Sequence, residues 1–309
     1  MADELVVVAL GGNTLLSSDD WTHEAETEAI EETAREIADV VESGRDVVLT
    51  HGNGPQVGDL MAKQDAAGGV RRPLDVLVAM TQAQIGYQLQ RALDGALVDR
   101  GDYVSVVTQV EVDLDDPAFS RPTKPVGPYL TEAEARERGF EVERTRDERP
   151  RYRRVVPSPE PRDVVEKQEI AALLDAGVAV VCLGGGGVPV TEDDGVLRGA
   201  EAVVDKDRST ALLAAYLDAD ALVVLTDVEH ACVDYGTESE RALEEVTPSE
   251  LRSHLEADEF AEGSMKPKIQ ALLDYHEATG GLAVSTEPGR LHKALDGEAG
   301  TRLLPDSES

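Results

Sequence analysis

The chain has 309 residues, and its 62 Asp and Glu outnumber 29 Lys and Arg, for a formal net charge of −33; a field of that sign repels nucleic acid and anionic membrane and argues against both as partners. Hydrophobic residues make up 41% and come in short bounded runs, enough for a sizeable core and too short to span a bilayer. The acidic excess also fits a protein dissolved in molar salt, which points to a halophile.

The opening MADELVVVALGG has an acidic start and a brief apolar run. It reads as a first strand at 5–10 and not as a secretion signal, so the expected location is cytoplasmic. A helix follows over 24–43, with Ile30, Ile37, Val40 and Val41 at helical spacing and Gly44 as its stop. The strand DVVLT then runs into HGNGPQ. Leu74, Leu77, Val78, Ile85, Leu89, Leu93 and Leu97 predict a helix over 74–98, with Pro73 at its first turn. A strand is expected over 103–112.

Between about 113 and 160 the texture changes to Pro, Arg and Glu with few long apolar runs. Inside a regular alternation, such a stretch reads as an insertion, a small lobe or lid. The alternation resumes with a helix at 163–176, the strand VAVVCL, the run GGGG, a helix opening on DKD, the strand ALVVLTD and a last helix from 267 to about 279. The expected fold is α/β, a three-layer α/β/α sandwich with a mostly parallel central sheet and a small protruding insertion. Ligands then belong at the carboxyl ends of the strands.

Four glycine-rich turns follow hydrophobic strands: LGGN at 10–13, HGNGPQ at 51–56, LGGGG at 183–187 and the approach to DKD at 199–207. Glycine lets backbone N–H groups reach an oxyanion with no Cβ in the way. The P-loop pattern is absent, and Pro189 stands where a GxGxxG spacing would need its third glycine. A nicotinamide dehydrogenase is disfavoured on that spacing.

Lysine is scarce: Lys63, Lys124, Lys167, Lys206, Lys266, Lys268 and Lys293 are the whole set. Lys206 sits between two aspartates where a strand gives way to a helix, a place where a cation opposes the helix dipole unless an external anion completes the charge balance. A nucleotide phosphate is the expected anion. Lys268 in GSMKPK and Lys124 in RPTKPVGP lie on two further loops, and three such lysines can surround a transferring phosphoryl group. The histidines make no metal-ligand pattern, although His51 is placed to touch substrate. Cys182 and Cys232 read as small core hydrophobes.

LGGN at 10–13, HGNGPQVG at 51–58, PLDVLVAMTQAQIGY at 73–87, PTKPVGPYLTEAEA at 122–135, RRVVPSPEPRD at 153–163, GGGGVPV at 184–190, AVVDKD at 202–207 and GSMKPK at 263–268 together resemble the carbamate kinases of the amino acid kinase fold family, in order over nearly the whole chain. The resemblance implies a homodimer that moves phosphate between ATP and carbamate with Mg²⁺, giving carbamoyl phosphate and ADP. The usual setting for that reaction is arginine fermentation after arginine deiminase, where it runs towards ATP.

It implies further that residues 1–187, with the insertion, form the phosphoryl-acceptor half and 188–309 the nucleotide half, on one continuous sheet. Gly11, Gly12 and Asn13 with Gly52, Asn53 and Gly54 would line the phosphoryl and carbamate side. Lys124 would reach down from the insertion, and Lys206 and Lys268 would grip the nucleotide phosphates, with Asp205 and Asp207 placing Lys206. The base would sit near Asp227, Tyr235 and Met265. Lys266 adds a cation beside the GSM turn. The alternatives are an acetylglutamate or glutamate kinase, which is not expected to carry the PTKP insertion, and a non-catalytic nucleotide sensor.

Overall fold

A computed structural model describes residues 4–12, 15, 22–67, 70–97, 103–138, 142–144, 151–260 and 265–305. In chain order it runs β1 (Leu5–Leu10), α1 (His23–Glu42), β2 (Asp46–His51), α2 (Gly54–Ala67), α3 (Leu74–Ala96), β3 (Tyr103–Ser105), β4 (Gln109–Glu111), α4 (Pro117–Ser120) and β5 (Lys124–Leu130). Then come α5 (Glu132–Arg138), β6 (Val142–Arg144), β7 (Tyr152–Val156), β8 (Asp163–Val164), α6 (Lys167–Asp175), β9 (Ala179–Cys182), β10 (Val188–Asp193), β11 (Val196–Gly199) and α7 (Lys206–Tyr216). The chain continues through β12 (Ala221–Leu225), β13 (Ala231–Val233), β14 (Arg241–Leu243), β15 (Glu245–Val246), α8 (Pro248–Glu256), α9 (Met265–Thr279), β16 (Leu282–Thr286), α10 (Leu291–Leu295) and β17 (Thr301–Leu303).

Eight strands make the central sheet in the order β15-β17-β16-β12-β1-β2-β9-β3. Every pairing in it is parallel except β16 with β17. The runs VVVAL in β1 and ALVVL in β12 are buried throughout, as strands covered on both faces must be.

Alternation along β1 divides the layers. Val6, Val8 and Leu10 pack with Ile30 and Ile37 of α1 and with Ile85, Leu89 and Leu93 of α3. Val7 and Ala9 face the other way, into a core with Ile170 of α6, Leu213 of α7, Leu251 of α8, and Ile269, Leu272 and Tyr275 of α9. The result is the three-layer α/β/α sandwich expected from the residues.

Two predicted elements break in the middle. The strand expected over 103–112 is β3 and β4, which belong to different sheets: β3 is the edge of the central sheet, while β4 lies between β10 and β8 in a four-stranded one. The helix expected over 163–176 begins at Lys167, because Asp163 and Val164 are spent on β8, paired with β4. Pro73 caps α3 from just outside it, with φ −67° and ψ 164°. Helix α2 and the short strands after β12 went unpredicted, being too brief or too polar for periodicity to resolve.

The Pro- and Arg-rich stretch contains α4 and then an antiparallel three-stranded sheet, β5-β7-β6, with α5. It packs on α2 through a close backbone contact, since a Cβ on Gly58 would lie 3.0 Å from the Cα of Gly127. That contact sets the base of the insertion directly above the turn that follows β2.

Leu222 of β12 has no exposed surface and lies in the core layer against α7 and α9. Leu222→Ala is expected to destabilise the chain by about 2–5 kcal/mol, seen as a lower urea midpoint at unchanged m-value. An unmoved midpoint would contradict close packing in this layer.

Candidate active site

The carboxyl ends of β1, β2, β9 and β12 open into a cleft of about 860 Å³, roofed by the insertion. The register explains why the turns are glycine. Leu10 pairs with His51, so Gly11-Gly12 and Gly52 leave adjacent strands side by side, and the Gly52 N–H donates to the Leu10 carbonyl at 3.0 Å. A Cβ on Gly52 would come within 2.8 Å of both N and Cα of Gly12. Only glycine fits there.

The turn after β9 is packed as tightly. Leu183 takes φ 49°, and Gly185, Gly186 and Gly187 take 67°, 86° and 91°, conformations that side chains rarely adopt. A Cβ on Gly185 would enter the Asn53 amide at 2.2 Å, and one on Gly186 would approach the Val204 carbonyl oxygen at 2.5 Å. The Gln82 amide on α3 donates to the Gly184 carbonyl at 2.9 Å and accepts from the Thr108 N–H at 2.5 Å. Asn53 in turn donates to Thr81 Oγ1 at 2.9 Å.

Three lysines, at the starts of β5 and α7 and in the first turn of α9, converge on two carboxylates. Lys124 Nζ of the insertion lies 2.9 Å from Asp205 Oδ2. Asp205 is also the N-cap of α7, its Oδ1 accepting from the Asp207 N–H at 3.0 Å. Asp207, 2% exposed, binds Lys206 through Oδ1 and Lys268 through Oδ2, the latter at 2.9 Å.

Burial works against ionised Asp207, but Lys206 and Lys268 outweigh it and hold the carboxyl down at about 2. Burial lowers the pKa of Lys206, offset only in part by Asp207. Lys268 is raised, because Asp207 overcomes its burial. Asp207 and Lys268 are thus held in their charged forms at the cleft wall, while burial works against the charge on Lys206.

At the other end of the cleft, Asp227, Tyr235 and Met265 line the wall with His230, Cys232, Glu240 and Ala242. Cys232 and Ala242 stand opposite each other in the β13-β14 hairpin. Cys182 is a buried core residue as expected, whereas Cys232 is a cleft residue and only partly buried. Lys266 pairs with Asp258 at 2.5 Å and is not among the cleft residues. Gly11, Gly12, Gly52, Asn53, Gly54, Asp205 and Asp207 all line the cleft; Asn13 lies outside the described residues.

Gly185, in the LGGGG turn singled out from the sequence, lines the same walls, whereas sequence reasoning missed Thr226, Tyr129 and Arg153 there. Arg153 was within reach of it, since YRRVV alternates along β7 and one of its two arginines must face the cleft.

His51 is 1% exposed and its Nδ1–H donates to the Gly52 carbonyl at 3.0 Å. Burial, with help from Lys206, pulls its pKa down to about 4 despite that hydrogen bond. The folded chain thus refuses a proton that the unfolded chain accepts between pH 6.5 and 4. Stability is full above pH 6.5 and falls with acid, by on the order of 3 kcal/mol over that window. Urea titrations at pH 6.5 and 5 should show this slope in the native chain and a flatter one in His51→Gln; equal slopes would mean that His51 is not buried neutral.

The amino acid kinase family model matches residues 4–282. A carbamate kinase of Halobacterium salinarum is 46% identical over 98% of this chain and 99% of its own, and one of Pyrococcus furiosus is 44% identical over 97% and 99%. The solved carbamate kinase of Giardia lamblia bound to AMP-PNP superposes with a TM-score of 0.91 at 40% identity, covering 99% of both chains. With a cleft of this construction and similarity of this extent, the chain belongs to the amino acid kinase family, among its carbamate kinases.

Proposed function

We propose that the chain catalyses reversible phosphoryl transfer between ATP and carbamate, giving ADP and carbamoyl phosphate. The observation that carries this reading is the convergence of Lys124, Lys206 and Lys268 in one cleft, linked through Asp205 and Asp207. Phosphoryl transfer asks a protein mainly for alignment and charge neutralisation, because negative charge spreads over the oxygens of a loose transition state. Ammonium groups and bare amides meet that demand.

In this reading Lys206 and Lys268 hold the nucleotide phosphates, and Lys124 follows the migrating phosphoryl group from the insertion side. Gly11, Gly12, Gly52, Asn53 and Gly54 receive the carbamate end, with Asn13 assigned there by resemblance alone. Asp227, Tyr235, Met265 and the β13-β14 hairpin receive the base. Residues 1–187 then act as the acceptor half and 188–309 as the nucleotide half.

The carbamate oxygen attacks the γ-phosphorus as the bond to the ADP oxygen breaks. The carbamate oxygen is already anionic, so no side chain has to remove a proton, in keeping with the burial of His51 beside the glycine turns, outside the cleft lining, with its pKa pulled down. Among the described residues no group of three or more His, Cys, Asp or Glu could hold a metal. Mg²⁺ would be carried in on the phosphates with water completing its shell, and Asp227, a carboxylate of the cleft lining, would orient it. Bound so, the ion would neutralise charge between the β- and γ-phosphates.

A homodimer is part of the proposal. Val76, Met80 and Tyr87 of α3 and Val107 expose apolar surface beside β3, the open edge of the central sheet. We place the enzyme in the cytoplasm of a halophile, making ATP at the end of arginine breakdown. No helix among the described residues is long and apolar enough to cross a membrane.

A coupled assay of ATP formation from carbamoyl phosphate and ADP tests the reading directly. Lys124→Ala and Lys206→Ala should each lose about 100- to 1,000-fold in turnover with unchanged circular dichroism; near-native rates in either would remove that lysine from the mechanism. Salt gives a second test. Chain and nucleotide are both polyanions, and the Debye length falls to about 3 Å at 1 M salt, so activity should climb towards molar KCl. A steady decline would contradict the halophilic assignment.

A further inference from the structure

Behind the cleft wall lies a second cavity, of about 340 Å³, between the end of α2, the start of α3, β7 and the segment leading to α7. Its lining includes Arg71, Arg72 and Arg154, with Asp65 and Glu201 as the carboxylates. Three guanidinium groups against two carboxylates make a local positive surplus in a chain of net charge −33.

Two contacts show what the place attracts. The Leu74 N–H, at the N-terminus of the 23-residue α3, donates to Glu201 Oε1 at 3.1 Å, so an anionic oxygen already sits on the positive end of the helix dipole. Arg71 holds Asp65 at 3.0 Å. The loop carrying both arginines is fixed in turn, since the Gln64 side chain accepts from the Arg72 N–H at 2.7 Å and donates to the Arg72 carbonyl at 3.2 Å. Arginine forks on a pinned loop are suited to bidentate recognition of oxyanions.

We propose that this cavity is a second anion site, separate from the reaction cleft, that takes a small polyvalent oxyanion such as inorganic phosphate or a compact phosphorylated metabolite. Its position ties occupancy to the insertion. Adjacent residues of a strand point to opposite faces, and on β7 Arg153 lines the cleft, donating from Nε to the Gly127 carbonyl at 3.1 Å, while Arg154 lines the cavity. Glu201 begins the segment whose Val203, Val204 and Asp205 line the cleft. A bound anion therefore braces the base of the insertion against the loop that carries Lys206.

Calorimetric titration of inorganic phosphate into the full chain, in the presence of a saturating non-hydrolysable ATP analogue, tests the proposal. One phosphate site per chain should remain. It should weaken about tenfold or more in Arg72→Gln and in Arg71→Gln, as expected for the loss of charge-assisted hydrogen bonds; the Arg71 side chain is 69% exposed, so its replacement should leave the fold intact. Both variants should keep the native melting temperature without phosphate. Phosphate binding wholly displaced by the analogue, or equal in native and variant chains, would overturn the proposal. If the analogue itself fails to bind, the nucleotide reading falls, while the comparison of native and variant chains still decides this one.

Discussion

The carboxylate of Asp207 is the pivot of the molecule. It is buried, it faces the start of α7, and it holds an ammonium group on each oxygen, one from its own helix and one from α9. Breaking a buried pair of this kind costs about 3–5 kcal/mol, so the chain has committed folding energy to keeping two lysines at the mouth of a cleft. A structural ion pair would need one lysine. The second adds positive charge beside Asp207, and in the proposed reaction an arriving phosphate would complete the balance. Helix α7 opens beside this triad, with Asp205 capping it and also receiving Lys124 from the insertion. A single turn of chain, 205–207, therefore joins helix capping and contact with the insertion, and in the proposed reaction anion binding.

Backbone packing supplies the other half of the site. Gly52 against Gly12, Gly185 against Asn53 and Gly186 against Val204 are contacts in which a methyl group would collide. These glycines are thus demanded twice, by the approach of neighbouring turns to each other and by the need for unobstructed amides. Gln82 and Thr81 of α3 hold the turns from below. The amides are consequently fixed before any ligand arrives, which is the condition under which dipoles stabilise developing charge without reorganising.

Much of this was legible in the residues. Unbroken apolar runs such as VVVAL and ALVVL announce parallel strands buried on both faces, and the glycine pair directly after VVVAL announces a ligand edge. Lys206 was legible because its position contradicts the helix dipole and its type is rare in the chain. The pairing of Lys124 with Asp205 was not, since 81 residues separate them and no local pattern records the fold of the insertion over α2. The split of 103–112 into two sheets was hidden for a related reason: the VVT at 106–108 between the strands continues the β-branched run as a single strand would, and only the tertiary contacts of Thr108 with Gln82 and Leu183 mark it as a corner. Asn13 is the one assigned residue for which the described structure supplies nothing.

The division of labour between the two cations follows from their chemistry. Only seven lysines remain among the 29 basic residues, and three of the seven line the cleft. A lysine presents a compact point charge on a flexible stem, able to follow a phosphoryl group as it shifts between donor and acceptor. An arginine presents a rigid planar fork, better at holding an oxyanion than at tracking one. The reaction cleft is lined by three lysines with Arg153 from the insertion, while the cavity behind has arginines alone as cations among its lining residues. If the cell's salt has driven lysine from the surface, the three kept in the cleft mark where a mobile charge is needed, and the arginine-lined cavity is, in the proposal above, where an anion is kept still.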